Sequence, residues 1–413
     1  MTNVSAEPRL PLRYPFPLGD HGTIPPLIDW ARRHRPVCPV ILPSGTTVWM
    51  ITRKDDIHAV LTDPRFSRAT AYPGAPRMVG EDITSVPGGI FNLDPPEHTV
   101  VRAIVNPFYT RRGIRRYRPM VRQHACALLD QMVSGPNPAD LITGYTAPLP
   151  LHVNSDMLGV PLAHREQFLH DFAQQLTLTP TPDQVAEATA HIESFAAQVI
   201  AAHRREPKPD TPIGALVRAN QHRDITDAQL QGTVSYLLVT GSEPLVAPLG
   251  TGTHTLLRHR TQLDELIEDP LLWPAAVEEI LRYHHNGVLG MPRVATEDVT
   301  IAGTTIAAGD AVCTPMLGAT MDPDHYIKPH QFNIHRGINA DPTFGAGPHF
   351  CLGANFARMF LVEAWSLLFS YFPSLELAIN DTDIPWARDL IFIKPLALPV
   401  TWNGAGQRTG SGP

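Results

Sequence analysis

Apolar and polar positions fall into three regimes along the chain. Residues 37 to 52, Val-Cys-Pro-Val-Ile-Leu-Pro-Ser-Gly-Thr-Thr-Val-Trp-Met-Ile-Thr, form two β-rich runs joined by a Pro-Ser-Gly turn, which predicts a hairpin. From about Asp94 to Ala295 the pattern turns helical, with Pro and Gly punctuating segments of roughly ten to thirty residues. Short strands return near Val299 to Ile306. The longest predicted helix starts at Thr226, whose hydroxyl can cap the backbone while Gln229 completes a capping box, and runs to about Arg258. At 1.5 Å per residue that is roughly 48 Å, enough to cross the molecule. The last ten residues, 404–413, carry nothing to bury and read as a loose tail behind one unit spanning 1–403. No internal repeat or interdomain linker is visible.

Composition narrows the function classes. A chain of 413 residues, 43% hydrophobic and 18% charged, can bury a large core. A net charge of -7 argues against general nucleic-acid binding, which needs a concentrated cationic face. Cys38, Cys126, Cys313 and Cys351 lack the paired spacings of a zinc module or a disulfide-stapled scaffold. The N-terminal stretch is Pro-rich and polar, and no run of eighteen apolar residues occurs, so the expectation is a cytoplasmic enzyme without a membrane anchor.

One cysteine stands apart. Residues 344 to 353 read Phe-Gly-Ala-Gly-Pro-His-Phe-Cys-Leu-Gly, and a helical apolar pattern follows through Ala354, Phe356, Met359, Phe360 and Leu361. Cys351 therefore sits at a helix start, where free backbone N–H groups and the helix dipole favour a thiolate. A lone cysteine is more often buried and inert. Here the surrounding segment resembles the heme-binding signature of the cytochrome P450 family, Phe-Gly-x-Gly-x-His-x-Cys-x-Gly, with every fixed position matched. The resemblance implies heme b (iron protoporphyrin IX), with Cys351 as the iron ligand, His349 on a propionate and Phe344 beside the sulfur. Gly345, Gly347 and Gly353 would let the backbone approach the macrocycle. A thiolate ligand pushes electron density onto iron and favours O–O cleavage.

Other constellations fit the same family. Glu279 and Arg282, three apart on one helical face, would by themselves be an ordinary surface pair, yet they resemble the family's buried Glu-x-x-Arg support. Many members add an Arg from a later segment; Gln331 stands there in this chain, which points to a rearranged support using Arg336 or His330. His98 and Arg102, at i, i+4 after Asp94-Pro95-Pro96-Glu97, can offer two donors to an anion, and in the family this run holds propionates, as does the position of Arg293. Arg111, Arg112, Arg115, Arg116 and Arg118 form a basic cluster that is either solvated surface or a docking patch for an acidic electron donor. Resemblance favours a ferredoxin, with its ferredoxin reductase.

In the long helix, residues 236 to 246 read Tyr-Leu-Leu-Val-Thr-Gly-Ser-Glu-Pro-Leu-Val and resemble the oxygen-binding stretch, usually Ala-Gly-x-Glu or Asp-Thr. Thr240 replaces the usual Ala, Gly241 and Glu243 are kept, and Pro244 replaces the Thr. Pro244 should release the Thr240 carbonyl from the helix ladder and Pro248 that of Pro244. Proton delivery would then run through Thr240, a water and Glu243, or through a substrate hydroxyl; the alternative is that Pro244 merely bends the helix.

The resemblance implies a mainly α fold with small β-sheets, a triangular prism with heme between the distal helix and the cysteine helix. Its substrate side would be formed by residues 69–92, 163–177, 182–205 and 390–392. Met78, Val79, Ile83, Tyr236, Val288, Leu289, Ile391 and Phe392 are the pocket candidates, and Arg77 is a candidate to meet a carboxylate. The implied activity is monooxygenation of a mostly apolar small molecule, by hydroxylation, epoxidation or oxidative cyclisation or coupling, in natural-product biosynthesis. The competing readings are a heme protein without turnover and a peroxide-driven hydroxylase.

Overall fold

The structure, a computed structural model, describes residues 7–160, 178–284, 289–337, 342–387 and 392–404. Of the predicted substrate-side elements, residues 163–177 lie outside this set, as do Val288, Leu390 and Ile391, and so does the predicted tail beyond Gly404.

The predicted hairpin forms. Val37–Ile41 pairs antiparallel with Thr47–Ile51, and Gly45 at φ +85° lets the chain reverse between them. These strands belong to a six-stranded sheet in the order Leu12–Arg13, Val37–Ile41, Thr47–Ile51, Ala311–Cys313, Arg293–Ala295, Phe66–Ser67. Its far edge matters for the site, because Ser67 pairs with Val294 and so brings Arg68 beside Arg293. Val299–Ile301 pairs with Thr304–Ile306 as expected.

The described residues between 97 and 283 are chiefly helical. Prolines mark starts: Pro148, Pro182 and Pro212 open the helices Pro148–Leu158, Pro182–Arg205 and Pro212–Gln221 at their first position, where a missing N–H costs no bond. The capping box at Thr226 forms, with the Gln229 N–H donating to Thr226 Oγ1 at 3.1 Å and the Thr226 N–H to Gln229 Oε1 at 2.9 Å.

The helix that begins there does not run unbroken to Arg258. It spans Asp227–Thr240, and a second helix occupies Glu243–Arg258. Pro244 therefore falls in the first turn of the second helix, so the chain stops and restarts instead of bending through a proline. The second half is seated close to the Ala354–Tyr371 helix. A Cβ on Gly252 would lie 2.4 Å from the Trp365 ring, and the Trp365 Nε1–H donates to Thr253 Oγ1 at 3.0 Å. Trp365 also stacks near Trp273, 6.5 Å between centroids, in the main core. No helix among the described residues is long and apolar enough to cross a membrane.

Candidate active site

The cysteine loop is shaped by two glycines in left-handed conformation. Gly345 has φ +77° and Gly347 φ +69°, and a Cβ on Gly347 would lie 2.5 Å from the Leu61 carbonyl. The Cys351 N–H donates to the Phe344 carbonyl at 2.9 Å and closes the loop. Cys351 precedes the Ala354–Tyr371 helix, and the N–H groups of Gly353 and Ala354 act on its sulfur. Depth in the protein pushes the thiol pKa up, while those N–H groups and the charges of Arg102 and Arg358 oppose the shift. The side chain is nonetheless open, because it lines a cavity. Arg358 lies 4.4 Å from the Phe344 ring centroid and is held by Glu278, with Nη2 to Oε2 at 3.0 Å.

That cavity, about 460 Å³, collects His98, Arg102, Arg293, Phe344, Gly345, His349, Cys351 and Gly353 from the cofactor candidates of the sequence, whereas Gly347 faces the Leu61 carbonyl and does not line it. One end is cationic. The rings of His98 and His349 lie 4.3 Å apart, and burial with neighbouring arginines lowers their pKa values to about 4 and about 2. His349 Nε2 is buried with no partner. The guanidinium of Arg102 donates to the carbonyls of Phe350 and Pro348 at 2.6 and 3.2 Å, and that of Arg293 to the Phe66 carbonyl at 3.3 Å. No Asp or Glu lines the cavity among the described residues. Cationic groups with no carboxylate among them and a thiol in the same lining fit a dicarboxylate macrocycle whose metal Cys351 would ligate.

Thr240, Gly241 and Pro244 also line the cavity, at the helix break. The Thr240 hydroxyl donates to the Tyr236 carbonyl at 2.7 Å, which leaves its oxygen free to accept. Asn154, from the Pro148–Leu158 helix, is wedged against the break. Its Nδ2 donates to the Leu238 carbonyl at 3.4 Å, and its side chain occupies the space a Cβ on Gly241 would need. Glu243 behaves differently from its neighbours: it is not part of the cavity lining, and its Oε2 lies 2.7 Å from Lys394 Nζ. Sequence reasoning missed Lys394 and Asn154, both brought in by distant segments.

The Glu-x-x-Arg pair is buried, not the ordinary surface pair its spacing alone suggests. Arg282 grips Glu279 at 2.7 and 2.9 Å, with both side chains essentially inaccessible. Arg336 takes the third place, with its Nε donating to Glu279 Oε2 at 3.0 Å and its Nη2 to the Gln331 carbonyl. His330 does not join and instead faces Asp29 at 3.1 Å.

Of the pocket candidates, Tyr236 and Phe392 line the cavity. Met78, Val79 and Leu289 pack in the core beside the N-terminal sheet and Ile83 in the main core, because an apolar pattern reports burial without saying what is faced. Arg77 is buried, pairs with Glu81 at 3.3 Å and does not line the cavity. Arg68 does, and no sequence signal marked it. Arg111, Arg112, Arg115, Arg116 and Arg118 are exposed, and Arg118 pairs with Glu363 of the Ala354–Tyr371 helix.

Comparison with known proteins agrees with this geometry. A family model described as Cytochrome P450 matches residues 157–385. Nocardicin C N-oxygenase of Nocardia uniformis is 36% identical over 94% of this chain and 98% of its own. Mycinamicin IV hydroxylase/epoxidase of Micromonospora griseorubida is 34% identical over 96% and 100%. The crystal structure of the LnmA cytochrome P450 hydroxylase, from the leinamycin pathway of Streptomyces atroolivaceus, superposes with a TM-score of 0.83 at 34% identity over 95% of this chain and 100% of that one.

Proposed function

The chain belongs to the cytochrome P450 family, a family of heme-dependent oxidoreductases, and from that premise we propose that it oxidises a mostly apolar natural-product intermediate with electrons from an external ferredoxin and its reductase. The observation carrying this reading is one cavity lined together by Cys351, a cationic group of residues and the two ends of a broken helix. Heme b supplies the reductive activation of O2 there.

In this reading Cys351 ligates iron as a thiolate, and His98, Arg102, Arg293 and His349 hold the propionates. Phe344, Gly345 and Gly353 shape the surface under the macrocycle. Glu279 and Arg282, with Arg336, hold the scaffold behind the cysteine loop. On the distal side Pro244 has no N–H to offer the Thr240 carbonyl, so that carbonyl is available to a water. That water keeps its second hydrogen to pass on and is replenished from a hydroxyl of the substrate, while the Thr240 hydroxyl, its own proton committed to Tyr236, is an acceptor that orients the substrate hydroxyl or the water. Glu243, turned to Lys394, anchors the start of the second half-helix instead of facing that water.

Arg111, Arg112, Arg115, Arg116 and Arg118 would receive the acidic donor, and residues 1–403 act as one catalytic unit in the cytoplasm. The named activities of the relatives, N-oxygenation and hydroxylation or epoxidation, support an oxygen-insertion reaction on a natural product. The test is substrate-dependent oxygen uptake with a surrogate ferredoxin and reductase across a panel of metabolites, alongside the Soret band of the reduced, carbon monoxide-treated protein. Uptake with a sulfur-ligated Soret band that Cys351→Ala abolishes is the expected result. Turnover with peroxide alone, or no uptake at all, would replace this reading with a peroxide-driven hydroxylase or a heme protein without turnover.

A further inference from the structure

Three segments far apart in sequence bring two imidazoles to one carboxylate. Asp381, in the turn Asp381–Asp383, has its Oδ1 at 2.5 Å from His254 Nε2 and its Oδ2 at 3.0 Å from His21 Nδ1. His21 belongs to the N-terminal turn Asp20–Gly22 and His254 to the Glu243–Arg258 helix. None of the three lines the cavity that contains Cys351, and the oxidation reading gives them no part.

Packing holds the donors in place. His254 is fully buried and stands edge-to-face with Trp386, 5.1 Å between ring centroids. A Cβ on Gly22 would lie 2.4 Å from the same indole, so Trp386 backs both histidine-bearing segments. The two imidazole rings are 6.1 Å apart. The His21 and Asp381 side chains keep 28% and 27% of their exposure, which leaves a way in from solvent. His21 has φ +55°, a backbone state that few non-glycine residues take and that its surroundings have to hold.

The donor set has the chemistry of a metal site. Two imidazole nitrogens and one carboxylate oxygen suit zinc and its neighbours, which occupy such sets with a position left for water. Bonds of about 2.1 Å put the donors of a tetrahedral zinc about 3.4 Å apart. The three donor atoms here lie within 4.8 Å of one another, so an ion enters by rotation of side chains and not by displacement of the segments. Among the described residues no other group of three His, Cys, Asp or Glu converges in this way; His124 with Asp156 and His335 with Glu265 are pairs.

Two neighbours set the affinity. Arg258 Nε lies 2.9 Å from Asp381 Oδ2, where it holds the oxygen an ion on Oδ1 does not take but adds a like charge. His254 Nδ1 is buried without a partner, so the ring proton that moves there when Nε2 binds a metal finds no acceptor. Loss of such an outer contact costs about 10- to 100-fold in affinity. Both effects put the site on the order of micromolar for zinc, well short of a closed structural zinc centre.

We infer that His21, His254 and Asp381 form a binding site for a divalent transition cation of the zinc type, separate from the heme, and that the ion clasps the N-terminal segment and the Asp381–Asp383 turn to the Glu243–Arg258 helix. The inference is independent of the oxidation reading.

Calorimetric titration of tag-free, chelator-treated, heme-loaded protein with zinc chloride measures the site, and anomalous scattering at the zinc edge from soaked crystals locates it. The expected result is one ion per chain with micromolar affinity, a peak between His21, His254 and Asp381, and a melting temperature that rises with zinc. His21→Ala and Asp381→Asn should each weaken zinc about 100-fold or more, with the Soret band unchanged and the zinc-dependent rise in melting temperature lost. His21→Ala removes a partly exposed side chain and is the arm that survives if Asp381→Asn does not fold. His124→Ala and His335→Ala should bind zinc as the parent does. No micromolar site in the parent, parent-like binding in His21→Ala, or an anomalous peak at another histidine would overturn the proposal and leave the three residues a hydrogen-bonded clasp only.

Discussion

Glu243 and Lys394, 151 residues apart, meet at 2.7 Å on the side of the distal helix that does not line the cavity. The pair joins the first turn of the Glu243–Arg258 helix to the segment that brings Phe392 into the cavity. Both side chains keep partial solvent access, so the pair should contribute about 1 kcal/mol and no more. A double-mutant cycle of Glu243→Gln and Lys394→Met in chemical denaturation should return a coupling of that size. Thr240→Val, in contrast, should leave stability nearly unchanged and raise the ratio of oxygen consumed to product formed; coupled turnover unaffected in Thr240→Val would remove Thr240 from the proton route.

Arg336 is the third member of the Glu279–Arg282 network. Arg336→Ala leaves the buried Glu279 carboxylate with one cation instead of two and should destabilise the protein by about 2 kcal/mol, seen as a lower denaturant midpoint and a lower heme content per chain. His330→Ala, whose partner Asp29 is elsewhere, should change stability by less than about 0.5 kcal/mol. Equal effects from the two substitutions would contradict this assignment.

The cysteine segment and the cationic residues around it were legible because each is a short local pattern whose spacing fixes its chemistry. His98 and Arg102 share a helix face, and residues 344–353 shape their own loop, so their convergence on one cavity needed little from the rest of the chain. The break at Gly241–Ser242 was not legible in the same way. A proline at 244 announces a disturbance, but the seat is completed by Asn154 from another helix, and local periodicity carries no trace of it. Arg336 was one of two candidates until contacts with Glu279 and the Gln331 carbonyl chose it. Met78, Val79, Ile83 and Leu289 were read as apolar and are buried, yet they face core and not cavity, a distinction hydrophobicity does not encode.

His284 gives a sign-determined pH dependence. It is fully buried and bonded to Thr255 Oγ1, and burial lowers its pKa to about 3 from an unfolded value near 6.5. The folded state therefore keeps the ring neutral while the unfolded chain takes up a proton below pH ~6.5. Its contribution is complete above that pH and is lost progressively as pH falls toward the folded value, by about 1.4 kcal/mol per pH unit. Denaturation of the heme-free protein at pH 7 and pH 5 should show this loss, and His284→Gln should flatten it; a slope identical in the two proteins would rule it out.

Arg111, Arg112, Arg115, Arg116 and Arg118 provide a kinetic test. Charge reversal at Arg112 and Arg116, exposed and away from the cavity, should slow reduction by a ferredoxin about tenfold at low ionic strength and much less at 0.5 M salt, on the order of a Debye length being then a few ångströms. Stopped-flow reduction measures it. An equal slowing at both salt concentrations would mean that the patch is plain solvated surface.

Trp365 has a mechanical consequence for all of this. The indole packs against Gly252 of the Glu243–Arg258 helix and belongs to the helix that follows Cys351, so the two helices whose starts border the chamber are tied together deeper in the core. A guest that pushed these two helices apart would have to disturb the Trp273–Trp365 stack, whereas Phe91 and Phe392, which also line the chamber, sit on other segments, so adjustment to differently sized guests is expected on their side.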